Sequence, residues 1–309
     1  MSYEHNIGVL DQESVLAECG PMRLIIRAWN ENQPQIKLAR QAAEKSISYL
    51  ESVARCRSVL SQPFSEIKVL PEEKLAREMI GSVSAVGDED LTPLAAVAGT
   101  IADAVADWLF DRGTSRVIVD NGGDIAVRLA DGETATVGIR PKISSPLISH
   151  LIELDSGSSN WGVTTSGIGG RSFTRGIASA VTVLAAKASV ADAAATAVAN
   201  ACFVEDEAII QSPAEQIDPG TDLLGLCVTT EVGSLIPEKA LIALDAGRRK
   251  AEYLAQKDII VGAFIAIENS NMISEGMRPY ISAVKRAKPD WLKWQGLASG
   301  SLWWLTHSQ

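Results

Sequence analysis

Residues 162–201 constrain the fold more than any other part of the chain. The segment begins with a loop rich in hydroxyl groups and glycine at 162–171, continues as an apolar run at 180–184 and ends in an alanine-rich stretch at 189–197. β-Branched apolar runs favour strands and alanine favours helices, so the pattern predicts a loop, a strand and a helix in that order. This combination can hold a phosphate and a hard cation, because the loop offers hydrogen-bond donors and the helix carries an Asp and a Thr one turn apart.

The other elements predict an α+β fold. Helices are expected at 35–56, 72–80, 91–109, 190–202 and 238–254. Strands are expected at 15–17, 22–29, 117–119, 125–129, 134–139, 147–154, 181–184, 223–229 and 259–267. Asp131-Gly132 predicts a hairpin between two of these strands, Thr92 a helix N-cap, and 211–220 a polar loop. Because the strands occur in runs, we expect mostly antiparallel sheets packed with helices.

Composition indicates a globular chain with an acidic surface. The 309 residues are 46% hydrophobic and carry a net charge of −10, which argues against nucleic acid and anionic membranes as partners. A small anionic ligand in one local pocket is compatible with that charge. Residues 1–20 hold four acidic side chains, and no segment reaches about 18 consecutive apolar residues. We therefore expect no signal peptide, no membrane span and a cytoplasmic location.

A tryptophan-rich tail ends the chain. Four of the seven tryptophans lie in the last 19 residues, at Trp291, Trp294, Trp303 and Trp304. Because aromatic surface of this extent normally docks, we expect residues 1–270 to form the domain and 271–309 an extension that packs on it or on a second subunit. The expected state is a homo-oligomer.

Asp192 and Thr196 are the candidate metal ligands. At positions i and i+4 of a helix their side chains share one face, where a carboxylate and a hydroxyl can ligate Mg²⁺ beside a bound phosphate. The alternative is structural: Ser189 and Asp192 have the spacing of a capping box, and Thr196 can bond a carbonyl one turn earlier. Spacing alone favours this alternative. Asp103 and Asp107 are also one turn apart, and a solvated face explains them better than a cation site.

Two loops are candidate anion-binding elements. Hydroxyls, glycines and an arginine follow residue 163, with Arg175 a second guanidinium nearby, and two glycines follow the strand at 117–119, where they permit close approach to a ligand. The candidate ligand-binding residues are Asn121, Gly122, Gly123, Asp124, Thr164, Thr165, Ser166, Gly167 and Arg171. The alternatives are a flexible connection between strands and a hairpin turn with Asx caps. The loop that follows residue 163 matches neither a P-loop nor a Rossmann fingerprint.

The order of these motifs resembles the ApbE family, the flavin transferases that use FAD. Residues 119–125 resemble the "aGGDi" turn of that family, and 138–141 resemble its "GI-x-P" strand end. Residues 162–167 resemble "vATSG", 180–184 resemble the "svTV" strand, and 191–197 resemble the "ADALATA" metal motif. The similarity extends over about residues 90–205 and implies the ApbE-like α+β fold.

The resemblance also implies a ligand, a metal and an activity. In the ApbE family, Mg²⁺ lies between an Asp and a Thr on this helix and the pyrophosphate of FAD, and the enzyme transfers FMN to a threonine hydroxyl of a target protein. By that resemblance Asp192 and Thr196 are metal ligands, and Thr165, Ser166 and Gly167 lie at the flavin. FAD or FMN, together with Mg²⁺, are the expected cofactors.

The chain departs from the transferases where their chemistry takes place. Transferases carry a segment with a histidine between the "TSG" loop and the "TV" strand, whereas the interval 168–179 has neither His nor Asp. His150 precedes the loop and is not the equivalent residue by order. The run 91–99 instead resembles an ApbE-like branch that has no settled activity. We expect a protein that binds a flavin or another pyrophosphate-containing ligand but is not a competent FMN transferase.

Two other functions stay open. The fold can serve as a non-catalytic accessory or partner protein, with the tail as its docking surface. Some archaeal relatives of the family are linked to sulfur assimilation into homocysteine, for which Cys202 or Cys227 would supply a reactive thiol. The four cysteines form no CxxC pair, and we expect both of these thiols to be buried.

Overall fold

The computed structural model describes residues 4–142, 145–170 and 172–284, together with the backbone of 302–305. The strands are β1 (His5–Val9), β2 (Val15–Cys19), β3 (Met22–Asn30), β4 (Gln33–Pro34), β5 (Arg116–Asn121), β6 (Ile125–Leu129), β7 (Thr134–Ile139), β8 (His150–Asp155), β9 (Asn160–Ser166), β10 (Ala180–Ala185), β11 (Ile209–Pro213), β12 (Cys227–Val232), β13 (Gly262–Ile267), β14 (Ser270–Ile273), β15 (Ile281–Ala283) and β16 (Leu302–Leu305). The helices are α1 (Ile36–Arg55), α2 (Arg57–Leu60), α3 (Lys74–Val86), α4 (Val97–Phe110), α5 (Ala188–Ala201), α6 (Ala214–Ile217) and α7 (Pro237–Gln256). Long helices before and after runs of strands confirm the predicted α+β class.

Three antiparallel sheets organise the described residues. The largest contains ten strands in the order β1-β2-β3-β5-β6-β9-β10-β13-β14, with β4 paired to β3. A four-stranded sheet has the order β15-β8-β7-β16, and β11 pairs with β12. The strands expected at 15–17 and 22–29 form an antiparallel hairpin, since Val15 pairs with Ile26 and Cys19 with Met22.

The large sheet lies between the long helices and the four-stranded sheet. On β5 the buried Val117 and Val119 face the core shared with α1 and α4, whereas Ile118 faces the core shared with β7 and β8. Successive side chains of a strand point to opposite faces, so a strand buried on both faces reads as a continuous apolar run. The large sheet therefore has no solvated face at its centre, and polar residues there need a specific reason.

The predicted hairpin at Asp131-Gly132 is wrong. The strands on its two sides do not pair with each other, because β6 pairs with β5 and β9 in the large sheet while β7 pairs with β8 and β16 in the four-stranded sheet. The turn is the point at which the chain passes from one sheet to the other. The apolar face of β7, formed by Ala135, Val137 and Ile139, is buried against the large sheet instead of continuing it.

The predictions for residues 91–109 and 211–229 also need correction. The helix expected at 91–109 is divided into a 3₁₀ turn, Pro93–Ala96, and α4. Thr92 makes no capping hydrogen bond, and its hydroxyl bonds to Asp222 instead. The polar loop expected at 211–220 contains the end of β11 and the short α6, and the strand expected at 223–229 begins later, at Cys227.

Helix α4 is a core element of the fold. Among the described residues, the segment Pro93–Phe110 is the one stretch long and apolar enough to cross a membrane, and 56% of it is buried within the protein. Ile101, Val105 and Leu109 are buried in the core that α4 shares with α1 and β5.

The described residues beyond 270 continue the sheets. Ser270, at the boundary predicted between domain and extension, begins β14, which pairs with β13. β15 pairs with β8, and the backbone of β16 pairs with β7. Trp303 and Trp304 lie in β16, whereas Trp291 and Trp294 fall outside the described residues.

Candidate functional site

A polar stripe on α5 marks the candidate site. The helix is rich in alanine, and nine of its 14 residues are buried. Asp192, Thr196 and Asn200 follow one another at four-residue intervals, so they lie on one face of the helix, and all three are partly exposed. They line a cavity of about 570 Å³, which we call the α5 cavity. This volume suits a small-molecule ligand.

Helices α4 and α5 cap each other through two aspartates. Asp103 on α4 accepts hydrogen bonds from the backbone amides of Ala188 (3.1 Å) and Ser189 (2.9 Å), the first residues of α5. Asp192 on α5 accepts a hydrogen bond of 2.9 Å from the amide of Gly99, in the first turn of α4. A helix N-terminus leaves amides without partners inside the helix and carries partial positive charge, so both carboxylates are favourably placed.

These contacts test the capping-box interpretation of Asp192. In a capping box, Asp192 would accept the amide of Ser189, but that amide donates to Asp103 and Asp192 accepts from Gly99. The capping-box alternative is therefore wrong. Asp192 points across to α4 and lines the cavity beside Thr196.

Arg128 on β6 ties α4 to the sheet. Its Nη2 donates to Asp103 (2.9 Å) and its Nε to Asp107 (2.7 Å). Burial alone would lower the pKa of the Arg128 guanidinium, but the two carboxylates beside it hold that pKa above its usual value. The expected solvated face is wrong for Asp103, which is buried, whereas Asp107 is largely exposed. Neither carboxylate belongs to the lining of the α5 cavity.

Two glycines allow the start of α5 to approach its neighbours. A Cβ atom added at Gly99 would lie 2.2 Å from the carbonyl oxygen of Ala188, and one at Gly162 on β9 would lie 2.3 Å from the Ala188 nitrogen. Because real Cβ atoms do not approach backbone this closely, larger side chains would push α5 away from α4 and β9. The position of Asp192 in the cavity depends on this close packing.

The turn between β5 and β6 borders the cavity next to α4. Asn121 donates from Nδ2 to the carbonyl of Ala98 (3.1 Å), and the amide of Gly123 donates to Asp120 Oδ1 (2.7 Å). The turn requires glycine at 122 and 123, where φ is 69° and 111°. The turn residues that line the cavity are Asn121, Gly122 and Asp124. Gly123, which the sequence also indicated, does not line it.

The end of β9 supplies the opposite border. Thr165, Ser166 and Gly167 line the cavity, whereas Thr164 is fully buried and does not. Ser166 Oγ is buried and has no hydrogen-bond partner among the described residues. Buried hydroxyls are normally paired, so this oxygen is suited to a polar group of a ligand or a water. Arg171 lies outside the described residues.

The described lining of the cavity is acidic. Its charged residues are Arg57, Asp90, Asp124, Arg175, Asp192, Asp218 and Asp222. Arg175 pairs with Asp90, and Arg57 Nη2 donates to the carbonyl of Gly220 (2.8 Å). Five carboxylates thus face two guanidinium groups, so an anionic ligand would need a cation beside it.

Sequence reasoning missed several residues of this cavity. Asn200 could have been found, because it continues the four-residue spacing of Asp192 and Thr196 by one more turn. Asp90 and the segment 218–226 carry no local signal, since only the folded chain brings them to the cavity.

The described lining of the α5 cavity contains no thiol and no histidine. Cys202, at the end of α5, is buried; its Sγ donates to the carbonyl of Val198 (3.2 Å), and burial raises its pKa to about 12. Cys227 is exposed, which corrects the expectation that it is buried. His150 lies on β8 with its ring 4.7 Å from that of Phe264, and burial lowers its pKa.

Comparison with protein families gives a match over most of the chain. Residues 8–275 match the family model described as AbpE bacteria. The chain belongs to this family. Membership in AbpE bacteria confirms the resemblance to ApbE-like proteins that the motifs at 119–125, 162–167 and 191–197 indicated.

Relatives of this AbpE bacteria protein include UPF0280 proteins of archaea. The one from Methanococcus aeolicus is 38% identical over 154 residues, 47% of this chain and 59% of that protein. The one from Methanopyrus kandleri is 39% identical over 165 residues, 51% of this chain and 65% of that protein. The chain thus spans about three fifths of the length of these two relatives. A third, from Methanosarcina barkeri, is 30% identical over 185 residues, 58% of this chain and 69% of that protein.

Solved structures of flavin transferases are similar at low sequence identity. A mutant of the flavin transferase ApbE from Vibrio cholerae gives a TM-score of 0.47 at 14% identity, covering 91% of this chain and 100% of that one. The apo form of the flavinyl transferase ApbE from Pseudomonas stutzeri gives 0.43 at 14% identity, covering 91% and 99%. These TM-scores are low, so membership in AbpE bacteria rests on the family model.

Proposed function

We propose that the protein binds a flavin (FAD or FMN) or a different ligand that contains a pyrophosphate in the α5 cavity, where Asp192 and Thr196 would hold Mg²⁺ beside the ligand. The observation that carries this proposal is the orientation of Asp192, which lines the cavity beside Thr196 instead of capping its own helix. Family membership supports the proposal, because the ApbE-like resemblance implies this ligand and this metal.

The donor atoms suit a Mg²⁺ ion that is shared with a phosphate. Among the described residues, no group of three or more His, Cys, Asp or Glu side chains could hold a metal. Mg²⁺ usually binds through one or two carboxylates together with waters and substrate phosphates, so the oxygens of Asp192 and Thr196 are a sufficient protein contribution. Ser166 Oγ, which has no partner among the described residues, supports a polar ligand group at the β9 border.

The acidic lining gives the metal a second role. A pyrophosphate among the described carboxylates would be repelled unless a cation neutralised it. When bound, Mg²⁺ would supply this neutralisation. Ligand binding should therefore depend strongly on the metal.

We further propose that the protein is not a competent FMN transferase. Transfer to a threonine hydroxyl benefits from a group that accepts the hydroxyl proton. The interval 168–179 has neither His nor Asp, and the described lining holds no histidine. Asp192 is a poor substitute for that base, because its carboxylate already accepts the Gly99 amide at the start of α4.

Calorimetric titration with FAD, in Mg²⁺ or in a chelator, tests the proposal. We expect binding that depends on Mg²⁺ in the unaltered protein. The informative variant is Asp192→Asn, because asparagine keeps the size of the side chain and an oxygen that can accept the Gly99 amide. We expect it to weaken Mg²⁺-dependent binding by about tenfold or more while the unfolding midpoint stays close to that of the unaltered protein.

A second variant separates metal binding from helix capping. Thr196→Val keeps the shape of the side chain and removes the hydroxyl oxygen, and it does not touch the Gly99 contact. It should also reduce the dependence on Mg²⁺. Absence of FAD binding by the unaltered protein under both conditions would contradict the flavin assignment, and absence of pyrophosphate binding as well would contradict the proposal and turn attention to an accessory role.

A thiol-based reaction in sulfur assimilation has little structural support. The pKa of Cys202 is raised to about 12 by burial, so the thiol stays protonated at neutral pH. Cys227 is exposed at the start of β12, outside the lining of the α5 cavity.

A further inference from the structure

A firmly anchored arginine faces the α5 cavity from the connection between β9 and β10. The amide of Arg175 donates to Asn200 Oδ1 (2.9 Å), and its carbonyl accepts hydrogen bonds from Gln211 Nε2 (2.8 Å) and Thr229 Oγ1 (3.1 Å). The amide of Thr229 donates to the carbonyl of Thr174 (2.8 Å). The backbone amide of Arg175 is thereby held by α5, and its carbonyl and that of Thr174 are held by the β11–β12 hairpin.

Close packing holds the next residues as well. A Cβ atom at Gly176 would lie 1.9 Å from the carbonyl oxygen of Ala199, so only glycine fits against the last turn of α5. The amide of Ile177 donates to the carbonyl of Cys202 (2.7 Å). Residues 174–177 belong to no strand or helix, yet they are anchored at every position. Irregular backbone that is held in this way presents a side chain in a defined place, as preorganised binding sites require.

The ion pair of Arg175 does not explain this anchoring. The guanidinium group pairs with Asp90, and the two side chains are 28% and 43% exposed. Pairs this accessible contribute little to stability, because water screens them. An arginine fork does, however, match the oxygens of a phosphate or a carboxylate with two parallel hydrogen bonds.

We propose that Arg175 binds a phosphate group of the ligand, and that Asp90 occupies the guanidinium group until the ligand replaces it. The inference rests on the proposed function for the location of the ligand and adds the residue that recognises its oxyanion. Thr229, which lies outside the cavity lining, is then a positioning residue that acts through the carbonyl of Arg175.

Calorimetric titration with inorganic pyrophosphate, at one Mg²⁺ concentration for all variants, measures this contact without the flavin. We expect Arg175→Ala to weaken pyrophosphate binding by about tenfold or more, as for the loss of a charge-assisted contact. Arg175→Lys should recover only part of the affinity, because lysine lacks the fork. Asp90→Asn removes the competing carboxylate and should strengthen binding. Arg249→Ala, which removes the same charge from an exposed position on α7, is the matched control and should leave the affinity for pyrophosphate unchanged.

The positioning role has its own matched pair. Thr229→Val keeps the shape of the side chain and loses the hydroxyl that bonds to the carbonyl of Arg175, whereas Thr229→Ser keeps that hydroxyl. We expect weaker pyrophosphate binding in the valine variant, recovery in the serine variant and similar unfolding midpoints in both. A purely structural role for Thr229 would change the midpoint and leave the affinity unchanged.

The outcomes separate this inference from the proposed function. If FAD binds with Mg²⁺ and Arg175→Ala binds FAD and pyrophosphate like the unaltered protein, the inference fails and the proposed function stands. If pyrophosphate binds through Arg175 but FAD does not bind, the inference stands and the flavin assignment fails. Tighter binding of malonate, a dicarboxylate, than of pyrophosphate would overturn the assignment to phosphate, as would no binding of pyrophosphate at all.

Discussion

Removing the carboxylate of Asp103 should destabilise the protein far more than removing that of Asp107, although both pair with Arg128. Asp103 is buried and accepts three hydrogen bonds, from Arg128 and from the amides of Ala188 and Ser189. The side chain of Asp107 is 59% exposed and bonds to Arg128 alone among the described residues. Arg128 itself is 3% exposed, so it stays buried in either variant.

The magnitudes follow from burial. Breaking a buried ion pair by removing one partner costs about 3–5 kcal/mol, because the other charge stays in a poorly solvating environment. Asp103→Ala also leaves the start of α5 without its cap, a loss of about 0.5–2 kcal/mol that overlaps with the first figure. An accessible pair contributes about 1 kcal/mol or less, so Asp107→Ala should change the free energy of unfolding by no more than that. Asp103→Asn, which keeps an acceptor but loses the charge, should lie between the two.

Urea unfolding followed by circular dichroism measures these differences. The comparison is valid if the dependence of the unfolding free energy on urea is the same in all variants, since a changed slope would indicate a changed unfolded or native state. Equal losses for Asp103→Ala and Asp107→Ala, or a loss below about 1 kcal/mol for Asp103→Ala, would refute the reasoning from burial.

Two further predictions concern packing and thiol reactivity. Gly99→Ala should destabilise the protein, because the added Cβ would lie 2.2 Å from the carbonyl oxygen of Ala188. Gly81→Ala, at an exposed position inside α3, should instead stabilise the protein by about 0.5–1 kcal/mol. Thermal unfolding of both variants measures the two effects, and equal shifts of the unfolding midpoint would contradict the packing argument. Iodoacetamide at neutral pH should modify the exposed Cys227 before the buried Cys202, whose pKa is raised to about 12. Mass spectrometry of the protein after treatment in its native state identifies the modified thiol, and modification of Cys202 first would show that α5 opens readily.

Local pattern predicted most of the elements. The helices expected at 35–56, 190–202 and 238–254 correspond to α1, α5 and α7, and each observed end lies within two residues of the expected one. Prediction failed where a tertiary contact gave a strand or a side chain a different partner from the one that the local sequence indicated. Asp131-Gly132 has the chemistry of a hairpin turn, yet β7 joins another sheet, because its apolar face is buried against the large sheet. Thr92 has the chemistry of an N-cap, yet its hydroxyl bonds to Asp222.

For the candidate site, too, some features follow from the sequence and others only from the tertiary structure. The sequence by itself determined that Asp192 and Thr196 share one face of a helix, because helical geometry places residues four positions apart together. Only the tertiary structure decided what that face meets. The contact between Asp192 and Gly99 joins residues 93 positions apart, and the pairing of Arg175 with Asp90 joins residues 85 positions apart. Hydrogen bonds form only at short range, so contacts between distant segments exist only after α4, α5 and β9 have packed closely enough to bring their atoms together.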